Sequence, residues 1–90
     1  MQLNIERGER MTGKTVRLRQ KAREAGQDES QIISASSYDP ADLELLVRSR
    51  IGRGIRVICI DECQEAHIRR LQGLKGDLPA ALTIHAVVAN

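Results

Sequence analysis

Ile55-Arg56-Val57-Ile58-Cys59-Ile60-Asp61-Glu62 is the stretch whose reading decides the fold. Apolar β-formers follow one another with almost no alternation, the pattern of a strand covered on both faces, and the run ends on two acids. Leu82 to Ala89 is a second near-continuous apolar strand. Working outward, Gln2 to Arg7 alternates instead: Leu3 and Ile5 point one way, Gln2, Asn4 and Glu6 the other, as in a strand with one wet face. Gln31 to Ser36 reads as a further strand. Numbered in chain order, these are β1 (Gln2 to Arg7), β2 (Gln31 to Ser36), β3 (Ile55 to Ile60) and β4 (Leu82 to Ala89).

Helical patterns separate the strands. After a glycine-bounded turn, Gly8 to Gly13, the apolar positions Leu18, Ala22 and Ala25 fall at helical spacing and Gly26 closes the helix. Asp39 is a good N-cap with Pro40 at the first helical position, and Leu43, Leu46, Val47 and Ile51 line one face until Gly52 and Gly54. Gln64 to Gly73 places Ile68 and Leu71 together. The order β-α-β-α-β-α-β implies an α/β fold: a parallel sheet with right-handed crossovers and helices on both faces, a three-layer α-β-α sandwich.

The chain has 90 residues, enough for one domain with one modest core, so residues 1–90 are expected to fold as a unit. Hydrophobic residues make up 41% of the chain, too many for disorder, and no apolar run is long enough to span a bilayer. Tyr38 is the only aromatic residue, so Ile, Leu, Val and Ala must build the interior. Fourteen Lys and Arg against 12 Asp and Glu leave +2, below what a dedicated nucleic-acid binder shows. The N-terminus carries no secretory signal pattern, and two cysteines cannot make a disulfide framework, so a reducing cytoplasm is the expected location.

Gly8-Glu9-Arg10-Met11-Thr12-Gly13-Lys14-Thr15 matches G-x-x-x-x-G-K-[ST] at every fixed position and lies between a strand and a helix, as its mechanism requires. The glycines let the backbone fold into a nest of N–H groups facing phosphate, backed by the positive end of the next helix. Lys14 is expected on the β- and γ-phosphates and the Thr15 hydroxyl on Mg²⁺, with Val16 completing the nucleotide-binding loop. Such a site also needs a carboxylate at the end of a buried strand, and Asp61 supplies it. On these two motifs the chain resembles the P-loop NTPases, in element order over its whole length.

The resemblance implies binding of ATP or another nucleoside triphosphate with Mg²⁺. In the branch with an extra strand between the P-loop strand and the acid-bearing strand, of the RecA, AAA+ and superfamily 1 helicase type, a glutamate after the metal acid often polarises the attacking water. Asp61-Glu62 looks like that pair, with Lys14 and Glu62 as the catalytic residues. This branch orders the sheet β1-β4-β3-β2, which puts the apolar β3 and β4 inside and the alternating β1 at an edge. Asn90, at the tip of β4, then occupies the place of a γ-phosphate sensor, or is a frayed terminus. Ser36 and Ser37 end β2 at the same rim, near the metal shell or simply closing a turn.

Other clusters leave alternatives open. Arg48, Arg50, Arg53 and Arg56 suit the end of the second helix, or offer an arginine finger to a neighbouring subunit. Lys14, Arg17, Arg19, Lys21 and Arg23 make the first helix basic, a solvated face or a contact for nucleic-acid phosphates. Cys59, Cys63 and His67 recur every four residues without a fourth metal ligand nearby. His85 reads as a hydrogen-bonded core histidine, and Tyr38 as half-buried or stacking on a base. One helix covering one face of four strands implies exposed apolar surface and an open β1 edge, hence a homo-oligomer or a larger partner. Asp61-Glu62-Cys63-Gln64 is also similar to an element of phage assembly ATPases and thymidine kinases, whose lasso and zinc region are absent from these 90 residues. The alternatives are a nucleotide-binding regulatory or interaction module without turnover, such as a small phage or mobile-element protein that regulates a partner, thymidine-kinase-like phosphoryl transfer, and a plain structural or interaction domain that retains the loop as a relic.

Overall fold

A computed structural model describes residues 1–7 and 13–89, with only the backbone of Lys14. Its elements are β1 (Gln2–Glu6), α1 (Lys14–Glu24), β2 (Ile33–Ser34), α2 (Pro40–Gly52), β3 (Val57–Cys63), α3 (Glu65–Gly73) and β4 (Thr83–Val88), with 3₁₀ turns at Glu29–Gln31 and Ala35–Ser37. All pairings are parallel and the sheet order is β1-β4-β3-β2. The order agrees with burial. β3 and β4 carry apolar residues on both faces and take the interior, while β1 alternates and takes an edge.

The helices divide as right-handed crossovers require. Leu18 and Ala22 of α1 pack on Cys59 and Val87, forming one small core. On the opposite face Leu43 and Val47 of α2 and Ile68 and Leu71 of α3 cover Ile58, Ile60, Ile84 and Ala86. Leu43, Ile58, Ile60, Ile68 and Ile84 are fully buried, each contributing about 1.5–3 kcal/mol of hydrophobic stabilisation. No helix among the described residues is long and apolar enough to cross a membrane.

Helix ends follow their local chemistry. The Asp39 carboxylate accepts from Asp42 N–H at 2.8 Å, with Pro40 starting α2. Gly26 and Gly54, at φ +76° and +88°, close α1 and α2 with the same motif. Each glycine N–H reaches back to Arg23 or Ile51, and the next residue's N–H to Ala22 or Arg50.

Three expectations need correction. β2 is two residues long, not six, because the Asp28 carboxylate accepts from Ser30 N–H and turns residues 29–31 into a 3₁₀ helix before the strand begins. β3 does not stop at Ile60 but continues through both acids to Cys63, with a bulge. Ile60 pairs with Ala86 and Cys63 with Val88, so three steps on β3 match two on β4. The sheet face beside α1 is apolar at Cys59 and Val87 but turns polar toward the β1 edge. Asn4 and His85 lie side by side there, and Asn4, Glu6, Arg17, Lys21 and His85 line a groove of about 390 Å³ with an apolar floor. His85 is accordingly half-buried, bonded to Asn4 Nδ2 at 3.3 Å and not in the core.

Gly54→Ala isolates the backbone term in this scaffold, because a methyl at Gly54 meets no atom within 4 Å. The left-handed φ alone should lower unfolding stability by about 1–2 kcal/mol, read by urea denaturation.

Candidate functional site

Parallel strands bring their carboxyl ends to one rim, where open α/β sheets bind ligands. α1 begins there. Gly13 is its N-cap at φ +77°, with a carbonyl that accepts Arg17 N–H at 3.1 Å. Thr15 in the first turn donates from Oγ1 to Asp61 Oδ2 at 3.2 Å, across 46 residues of sequence. The other Asp61 oxygen accepts Glu62 N–H at 2.8 Å, which fixes the carboxylate against the helix start.

Glu62 has φ +56°, the only left-handed non-glycine residue among those described. The bulge turns its side chain toward β2, where Oε2 accepts Ser34 Oγ at 2.6 Å and Ser36 Oγ at 2.7 Å; the two hydroxyls are 3.0 Å apart. The Ser34 hydrogen bond first, and then that of Ser36, holds the Glu62 carboxyl below its usual range. Oε1 accepts no hydrogen bond from the described residues.

Thr15, Asp61, Glu62 and Ser34 line a cleft of about 200 Å³ together with Arg19, Glu29, Ile32 and Ile33. On the far side of the rim, Arg7 donates two bonds to Glu65 at 3.0 and 2.8 Å, tying the end of β1 to the first turn of α3. Arg7 thereby keeps Glu65 below the usual carboxylate range. Behind the rim the buried His67 accepts Gln64 N–H on Nδ1 at 3.0 Å, so Nε2 carries the proton donated to the Tyr38 carbonyl at 2.7 Å. His67 thus caps α3 and anchors the segment ahead of α2.

Of the expected site residues, Thr15, Asp61 and Glu62 come together at this rim. Val16 is exposed on the first turn of α1. Gly8, Glu9, Arg10, Met11, Thr12 and Asn90, and the side chain of Lys14, lie outside the described residues. Ser34 was missed. The signal available was a pair of hydroxyls two apart, Ser34 and Ser36, opposite a strand that ends in acids. Ser37 closes the 3₁₀ turn. Cys59 and Cys63 are buried in different cores, and no group of three His, Cys, Asp or Glu among the described residues could hold a metal. Tyr38 is 39% exposed.

The arginines are mostly engaged. Arg48 pairs with Glu44, Arg50 donates to the Gln31 carbonyl, and Arg56 donates to the Ile51 and Ile55 carbonyls. Arg53 is the one of the four without a partner among the described residues, at the C-terminal end of α2 away from the rim. On α1, Arg17 pairs with Glu6, Arg19 and Arg23 with Glu29, and Lys21 with Glu24. No family model, curated protein or solved structure matches the chain.

Replacing Ser34 and Ser36 by Ala should raise the Glu62 titration midpoint toward the ordinary carboxylate value, seen by carboxyl ¹³C NMR. Because the folded-state pKa is depressed, its stabilisation is present above the ordinary Glu range and lost as pH falls through the folded value; the double variant should lose that acid-side dependence. Glu62→Gly should be more stable than Glu62→Ala by about 1–2 kcal/mol, since both lack the carboxylate and only Ala keeps a Cβ in the left-handed region.

Proposed function

We propose that the chain is a P-loop NTPase domain that binds ATP with Mg²⁺ and hydrolyses it when a partner or oligomer completes the site. The observation that carries this reading is the Thr15–Asp61 contact, because it joins the hydroxyl of the Gly8–Thr15 signature to the acid at the end of a buried strand. A hydroxyl and a carboxylate are hard oxygen donors, the set that suits Mg²⁺.

In this reading the N–H groups of Gly8, Glu9, Arg10, Met11, Thr12 and Gly13 and the start of α1 face the phosphates, with Val16 beside them. Lys14 neutralises charge on the β- and γ-phosphates. Thr15 and Asp61 would hold Mg²⁺, which supplies further charge neutralisation when bound. Glu62 orients water and accepts its proton, and Asn90 senses the γ-phosphate. Nucleic acid remains a candidate partner through the α1 face, and a cytoplasmic location goes with the two free thiols.

A second reading, a nucleotide-binding module without turnover, is favoured by the Ser34 and Ser36 bonds to Glu62 Oε2, which lower the basicity of the carboxylate. Thymidine-kinase-like transfer is the remaining alternative. Calorimetry with Mg·ATP decides among them. Lys14→Ala should weaken binding about 10–100-fold, the loss of a charged hydrogen bond worth about 1.5–3 kcal/mol. Glu62→Gln should bind and not turn over. Absence of any binding heat or thermal shift at millimolar Mg·ATP overturns the nucleotide reading; binding without phosphate release selects the module, and ADP release only with thymidine selects the kinase.

A further inference from the structure

The two edges of the sheet are built differently. β2 has two residues, lies between 3₁₀ turns, and has an arginine bound to the Gln31 carbonyl beside it. Such shortening and covering blunt an edge against pairing. β1 has five extended residues with no proline, no bulge and no lysine, and Glu6 is its one charge. Nothing among the described residues covers its outer side.

The hydrogen-bond phase of β1 specifies what that side offers. Gln2 N–H donates to the Leu82 carbonyl, and in a parallel ladder the bonded residues alternate, so Gln2, Asn4 and Glu6 turn their amide groups toward β4. Leu3 and Ile5 therefore present both N–H and C=O outward. Their side chains are partly buried against the α2 and α3 core, which ends at this edge.

We propose that β1 pairs antiparallel with β1 of a second copy, joining two sheets into one of eight strands. A register centred on Asn4 is the one in which all five β1 residues overlap. Leu3 then faces Ile5 of the other copy, so the two outward-facing residues bond reciprocally and their side chains continue the core across the seam. Gln2 faces Glu6, an amide against a carboxylate already paired with Arg17. Asn4 faces itself, and no like charges meet within the strand. The two Asn4 residues form a non-hydrogen-bonded pair, with Cα atoms about 4.5 Å apart and side chains in close approach. The two-fold axis sends the carboxyl rims of the two copies in opposite directions, so association through this edge leaves each candidate phosphate site separate and does not depend on nucleotide.

Sedimentation equilibrium of the full chain without nucleotide tests this. The wild-type chain should sediment at twice its 10.0 kDa mass. Leu3→Pro removes an outward N–H and leaves the β1–β4 bonds in place, and should be monomeric with an unchanged circular dichroism spectrum. Asn4→Lys and Asn4→Asp should each be monomeric through like-charge repulsion at the axis. Mixed in equal amounts, they should recover the dimer mass. If Leu3→Pro does not fold, the Lys and Asp variants still decide. A wild-type chain that stays monomeric up to millimolar concentration, a folded Leu3→Pro that remains dimeric, or a Lys and Asp mixture that stays monomeric overturns the proposal. A monomer that binds a different strand-forming protein at β1 overturns it in favour of a heterologous partner.

Discussion

One surplus residue in β3 governs the rim that carries the acids. In an unbroken strand Asp61 and Cys63 would share the α1 face and Glu62 would enter the opposite core. With the bulge, Asp61 meets Thr15, Glu62 swings to the serines of β2 and its flank, and Cys63 drops into the core beneath α3. A left-handed glutamate is unfavourable by about 1–2 kcal/mol and persists only where its surroundings over-determine it. Here its N–H binds Asp61, its carboxylate binds two hydroxyls, and the ladder resumes at once with Ala89 N–H on the Cys63 carbonyl at 2.8 Å. Several bonds thus hold the strained residue in place.

The scaffold itself was readable from local pattern. Continuous apolar runs in β3 and β4 and alternation in β1 marked which strands lie inside, while the full order β1-β4-β3-β2 was what the resemblance to the P-loop branch implied. Gly26, Gly54, Asp39 and Pro40 marked helix ends because capping is a property of a few adjacent residues. The bulge was not readable, since an apolar run meeting two acids looks the same whether the strand stops or kinks. Nor were the contacts of Ser34 and Ser36 with Glu62, which depend on where β2 sits relative to β3. β2 itself was overextended because Gln31 to Ser36 contains β-formers, while the competing Asp28 cap acts from outside that window.

Charge shows the same division. A list of cations along α1 suggests an attractive surface for nucleic-acid phosphates, yet in space Glu6, Glu24 and Glu29 sit among them. Exposed pairs of this kind stabilise by at most about 1 kcal/mol each, so they do not hold the fold. Their effect is on the field: the positive potential is broken up over short distances, within a Debye length of about 8 Å at physiological salt.

The separate burial of Cys59 under α1 and Cys63 under α3 gives the molecule two internal gauges of its own motion. Both thiols are held in the neutral, unreactive form by burial, the Cys63 thiol pushed up to about 12. On opposite sides of the sheet they cannot reach each other to oxidise as a pair within one chain. An alkylating reagent therefore reaches Cys59 only when the thin α1 layer lifts, and Cys63 only when the thicker two-helix layer opens. The relative rates of the two reactions report how unequally the two halves of the sandwich breathe.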